Sequence, residues 1–96
     1  MAAINMISPL LTVMPSKKSP AQIRFDILGF LYHNAGMHSR TSVWRRATRL
    51  SYDDFQRYLG SLNDKGFIEE FEGGIHLTLT GKKIFLRLRE LLPLVL

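Results

Sequence analysis

Between Pro20 and Asn34, Ile23, Ile27, Leu28 and Leu31 recur at three- and four-residue steps, with Phe30 at the edge. This is the spacing that lines up one face of an α-helix. Ser19-Pro20 marks its start, because serine accepts from an early backbone N–H and proline suits the first helical position; Ala35-Gly36 marks its stop. A second, shorter helix is predicted over Thr41 to about Thr48, with Val43, Trp44 and Ala47 inward. The third opens at Ser51-Tyr52-Asp53-Asp54, a capping box with Asp in place of the usual Glu, and closes at Lys65-Gly66. Its apolar side is Tyr52, Phe55, Tyr58, Leu59 and Leu62. Steps of about 100° per residue then turn Asp53, Gln56, Arg57, Gly60, Ser61 and Asp64 to solvent.

After Gly66 the period changes to that of strands. Phe67 to Phe71 and Ile75 to Leu77 read as a hairpin joined by a Gly73-Gly74 turn. A last helix starts at Thr78, with Thr80 as the alternative cap, and Ile84, Phe85, Leu88, Leu91 and Leu92 form its apolar side until Pro93 breaks it. Residues 1–19 show no clear period and carry Pro9 and Pro15, so they read as an arm, either flexible or packed on the last helix. Residues 20–96 form the domain, and helix, helix, helix, hairpin, helix is its order.

Composition narrows the chemistry. At 96 residues the chain fits one domain, and 46% hydrophobic with 22% charged residues is the balance of an ordinary folded protein. The absence of cysteine excludes a disulfide framework and thiolate metal sites. His33, His38 and His76 have no partner in ligand spacing, so no metal or other cofactor is expected. The run from Met6 to Met14 is far short of the ~20 apolar residues that span a bilayer, and no Lys or Arg precedes Lys17 as a signal peptide would require. Neither a membrane association nor export is expected, and a cytoplasmic, nucleoid-associated location is. No catalytic residue is assigned: Asp53 and Asp54 suit a helix start, and Ser51 is a cap rather than a nucleophile. The chain does not read as an enzyme.

Thirteen Lys and Arg against eight Asp and Glu give a net charge of +5 and a pI near 10.0, which favours a polyanionic partner. The densest acid-free cluster is Arg40, Arg45, Arg46 and Arg49, around the second helix. It serves either as a phosphate-binding surface or as a solvated face. From Asp53 to Glu72 the balance reverses to −4, with Asp53, Asp54, Asp64, Glu69, Glu70 and Glu72 against Arg57 and Lys65. A hairpin this acidic should avoid phosphate. Trp44, Phe55, Tyr58 and Phe85 read as core.

Two short helices, a tight turn and a hairpin follow the order of a winged helix-turn-helix. Leu50-Ser51-Tyr52, Tyr58-Leu59, Leu62, Lys65-Gly66-Phe67-Ile68-Glu69 and Leu77-Thr78-x-x-Gly81-Lys82 resemble the small archaeal winged-helix regulators and their chromatin-associated coiled-coil relatives, over Ala21 to Leu92. The resemblance implies an α+β, mostly helical winged helix-turn-helix fold that binds double-stranded DNA with a sequence preference, as a transcriptional regulator or chromatin-like protein. Helix three would read the major groove and the hairpin would lie beside the backbone. Carried over by position, Ser51, Tyr52, Gln56 and Arg57 would face bases or phosphates. Arg40, Thr41 and Ser42 would meet a phosphate at the second helix's N-terminus, and Arg45, Arg46 and Arg49 would add electrostatic reach. The alternative is a protein-interaction module that presents its acidic third helix and wing.

The apolar residues at the two chain ends exceed what a domain of this length covers easily, so a homodimer is expected. Its contacts would come from the last helix, through Phe85, Leu86, Arg89 and Leu92, with Leu86 opposite Ile84 and Leu88. Because Pro93 limits that helix, the dimer would be more compact than the coiled-coil relatives.

Overall fold

The computed structural model describes residues 18–95, and side chains as far as residue 91. The proposed arm and the role of Leu92 thus lie outside the described residues, apart from Lys18 and Ser19. The elements are α1 (Pro20–His33), α2 (Arg40–Ala47), α3 (Tyr52–Asp64), β1 (Ile68–Phe71), β2 (Gly74–Leu77) and α4 (Leu79–Val95).

The first three helices begin the same way, with a serine in extended conformation that accepts from the backbone N–H three residues on. Ser19 accepts from Gln22, Ser39 from Ser42 and Ser51 from Asp54. Each cap satisfies an amide that has no partner inside the helix, and its loss typically costs ~1 kcal/mol. Ser39 places the start of α2 at Arg40, one residue before the expected Thr41. At the end of α3, Phe67 N–H donates to the Leu62 carbonyl around Gly66, whose φ of 76° suits glycine.

These capped helices close on one apolar core: Ile23, Ile27, Leu28 and Leu31 of α1, Val43 of α2, Phe55, Leu59 and Leu62 of α3, Ile68 and Ile75 of the hairpin, and Phe85 of α4. No polar or charged residue is buried among the described residues. Phe85 is 2% exposed and stacks on Phe25 with ring centroids 4.9 Å apart. It closes the core within one chain, which corrects its expected place in a dimer interface.

The hairpin pairs Ile68 with Leu77 and Phe71 with Gly74. Its turn is therefore Glu72-Gly73, not Gly73-Gly74. Both turn residues have positive φ, 50° and 77°, the requirement of a two-residue hairpin turn that follows the strand twist. Gly74 is kept for the strand because a Cβ there would stand 2.8 Å from that of Met37. Beyond the expected two strands, His38 exchanges backbone hydrogen bonds with Ile75, at 3.1 and 2.7 Å, and ties the α1–α2 connection to the sheet.

The Leu77-Thr78-x-x-Gly81 segment is the junction between wing and last helix. Thr78 caps α4 by accepting from Gly81 N–H at 3.0 Å, while its hydroxyl donates to the Gly66 carbonyl at 2.6 Å. A Cβ on Gly81 would fall 2.0 Å from the Phe67 carbonyl oxygen, so only glycine lets α4 approach this closely.

Two expectations for α4 change. The helix continues through Pro93 to Val95, because a proline in the last turn removes a single backbone bond while the rest of that turn still holds. Leu86 is half-buried against the core rather than turned away from it, whereas Leu88 and Leu91 are exposed by 36% and 52%.

Candidate nucleic-acid interface

The two ends of α2 position its arginines differently. At the N-terminus Arg40 turns toward the wing: Nε and Nη2 donate to the two Glu70 carboxylate oxygens, the latter at 2.6 Å. Its remaining Nη1 donates to Gln56 Oε1 of α3 at 2.9 Å. Such a two-pronged pair matches the planar guanidinium to the planar carboxylate. The Glu70 hydrogen bond raises the Arg40 pKa above its ordinary value, and Arg40 holds the Glu70 carboxyl below the usual glutamate range. In each case partial burial opposes the effect. Arg40 is thus engaged, and the expected phosphate site at this helix start loses its cation. Thr41 is exposed, and Ser42 is half-buried with its N–H given to the Ser39 cap.

At the other end of α2 the chain turns back at Thr48, whose hydroxyl donates to the Trp44 carbonyl, and Trp44 Nε1 donates to the Leu50 carbonyl at 2.7 Å. This compact turn gathers Arg45, Arg46 and Arg49 with Lys18 around a groove of about 720 Å³. All three arginines are exposed, and none has an ion pair among the described residues. Arg46 lies over the Phe30 ring, 5.0 Å from its centroid, so its stem rests on apolar surface while its charge faces water. Lys18, unassigned from the sequence, is paired at 2.7 Å with Asp26, the acid in this groove. The structure therefore brings three of the four arginines together and takes the fourth away.

On α3, Ser51 serves as the cap and Tyr52 is half-buried with its ring edge-on to Trp44, centroids 5.1 Å apart. Asp53, Arg57, Gly60 and Asp64 are exposed as expected, whereas Gln56 and Ser61 are half-buried. Arg57 is 78% exposed at the side chain and donates to Asp54 at 2.6 Å, one turn back. A second groove beside it is lined by Pro20, Arg24, Leu50, Asp54, Arg57 and Tyr58. Arg24, which no sequence pattern singled out, lies 5.5 Å from the Tyr58 ring centroid.

The wing is acidic on its open side. Glu69 and Glu72 are exposed, with Glu69 3.2 Å from the His76 ring nitrogen. Phe71 and Met37, 58% and 52% exposed, are the large apolar residues near its tip. On α4, Lys82, Lys83, Arg87 and Arg89 are exposed, and the Arg89 guanidinium lies 5.5 Å from the Tyr32 ring centroid.

Among the described residues no group of His, Asp and Glu could hold a metal ion, and no helix is long and apolar enough to cross a membrane. Comparison with curated proteins and with solved structures found no match. The winged helix-turn-helix family model matches residues 17–95, which takes in every element from α1 to α4. Three capped helices, a hairpin on the third and a last helix seated on the first are thus the parts of a known architecture, and the chain belongs to the winged helix-turn-helix family.

Proposed function

We propose that the protein binds double-stranded DNA with a sequence preference, as a cytoplasmic, nucleoid-associated transcriptional regulator or chromatin-like protein. The observation that carries this reading is the cluster of Arg45, Arg46 and Arg49 beside the α2–α3 turn, without an ion pair among the described residues, next to a helix that leaves Asp53 and Arg57 in solvent. Family membership supports DNA as the polyanion. In this reading the arginines bind phosphate and α3 enters the major groove, with Thr41, Ser42, Ser51 and Tyr52 near the backbone. The protein acts as a binding module without catalytic chemistry.

An anisotropy titration against duplex DNA at several salt concentrations tests it. Three arginines on phosphates give a slope of about −3 in log affinity against log salt. No binding at low salt would overturn the reading. The alternative, contact with a basic protein through the wing, is favoured by one feature: Phe71 stands exposed beside the solvent-facing Glu72.

We further propose a homodimer through α4. Leu88 and Leu91 lie three residues apart on its exposed side and Arg89 lies between them, whereas Leu86 contributes only its half-exposed edge. Sedimentation of wild type and of Leu91→Glu should show a dimer and a monomer. A wild-type species of 11.0 kDa would remove the proposal.

A further inference from the structure

Gln56, Arg40 and Glu70 come from three elements, α3, α2 and β1, yet form one chain of hydrogen bonds. An arginine side chain carries donors and no acceptor. The Gln56 atom that faces Arg40 Nη1 at 2.9 Å is therefore the carbonyl oxygen, since the reverse orientation would set donor against donor. The Gln56 amine is turned away from Arg40 and donates to no partner among the described residues. Glu70 grips the other edge of the guanidinium through two bonds, so Arg40 cannot swing aside to release the amide.

We infer that Gln56 is a specificity-determining residue that reads DNA as a donor only, its amide fixed by Arg40 and Glu70. The inference rests on the DNA-binding reading above. A free glutamine recognises adenine by donating to N7 while accepting from N6. Here the carbonyl oxygen is turned toward Arg40, so the amine is the group left to present to a base, with no partner among the described residues. Guanine presents two acceptors there, N7 and O6, and thymine presents O4, whereas cytosine presents only an amine, and adenine keeps N7 for the Gln56 amine but sets beside it an N6 amine that finds no free acceptor on Gln56. The contacted position thus favours guanine or thymine over adenine or cytosine.

The experiment is selection from randomised duplexes by wild type, Gln56→Ala, Gln56→Glu and Arg40→Met. Loss of preference at one position in Gln56→Ala identifies the base that Gln56 reads. At that position wild type should favour guanine or thymine by about tenfold. Arg40→Met frees the amide and should shift the choice toward adenine. Gln56→Glu keeps an acceptor for Arg40 but has no outward donor, so it should lose the preference while folding normally. It decides the matter if Arg40→Met does not fold. Adenine chosen by wild type, an unchanged choice in Arg40→Met, or a preference kept in Gln56→Glu would overturn the inference. Binding without selection, or with no position tied to Gln56, would overturn it and leave DNA binding standing. No binding of wild type at low salt would overturn both.

Discussion

The two ends of α2 carry the same residue type in opposite states. Arg40 has its guanidinium spread over Glu70 and Gln56, while Arg45, Arg46 and Arg49 stand in solvent around a shared groove. Nothing in the run from Arg40 to Arg49 distinguishes them, since it holds no acid at all. The difference comes from Glu70, 30 residues further on, which the hairpin carries back to the start of α2 and not to its end. The availability of a cation is therefore a property of which acids the topology returns to it. A count of arginines along this run overstates by one those that have no ion pair among the described residues.

Substitution at each end of α2 tests this contrast, and the largest effect is expected at the free end. Arg45→Ala with Arg46→Ala should weaken binding to all DNA sequences alike and lower the salt slope by about two units, because two phosphate contacts are lost. Neither side chain is buried, so thermal unfolding should stay near wild type. Unchanged affinity at matched salt would show that the free end is only a solvated face and would erase the functional side of the contrast.

A smaller effect is expected at the tied end. Glu70→Gln removes the negative charge and one of the two acceptors that hold Arg40, so the guanidinium at this helix N-terminus is no longer neutralised. Binding should tighten and the salt slope steepen by up to about one unit. A slope that stays at the wild-type value would mean that Arg40 has no phosphate within reach even when freed.

The smallest effect is on stability. Glu70 has a folded pKa held below its ordinary 4.5, so its contribution is present above that value and is lost as pH falls through the lower folded one. Both partners are about one-third exposed, which limits the pair to under ~1 kcal/mol. Denaturant unfolding of wild type and Glu70→Gln should differ by that amount at neutral pH and converge in acid. A difference that persists in acid would assign the effect to packing and not to charge.

Much of the fold was legible because its signals are local. Ser19-Pro20 and Ser51 announce helix starts within four residues, and the spacing of Ile23, Ile27, Leu28 and Leu31 depends only on helical period. The turn was misplaced by one residue because Glu72, Gly73 and Gly74 offer two registers of similar local quality. What selects between them is Met37 packed over Gly74, a contact between distant segments. Leu86 was misassigned for a related reason: helical period places it opposite Leu88, but it cannot say which neighbours cover either side. The candidate interface was legible in residue type more than in arrangement. Arg45, Arg46, Arg49 and Arg57 stand in solvent as expected, whereas the engagement of Arg40 needed the hairpin in place.

The contact beneath Gly81 makes the wing root and the last helix mechanically one body. With the Phe67 carbonyl already where a side chain would start, α4 cannot shift toward β1, and the Thr78 hydroxyl bond to Gly66 resists its withdrawal. A torque applied to α4 is therefore transmitted to the hairpin and not absorbed by a flexible connector. Whatever surface orients this helix also aims the wing, so the direction in which the hairpin points is decided some distance from its tip.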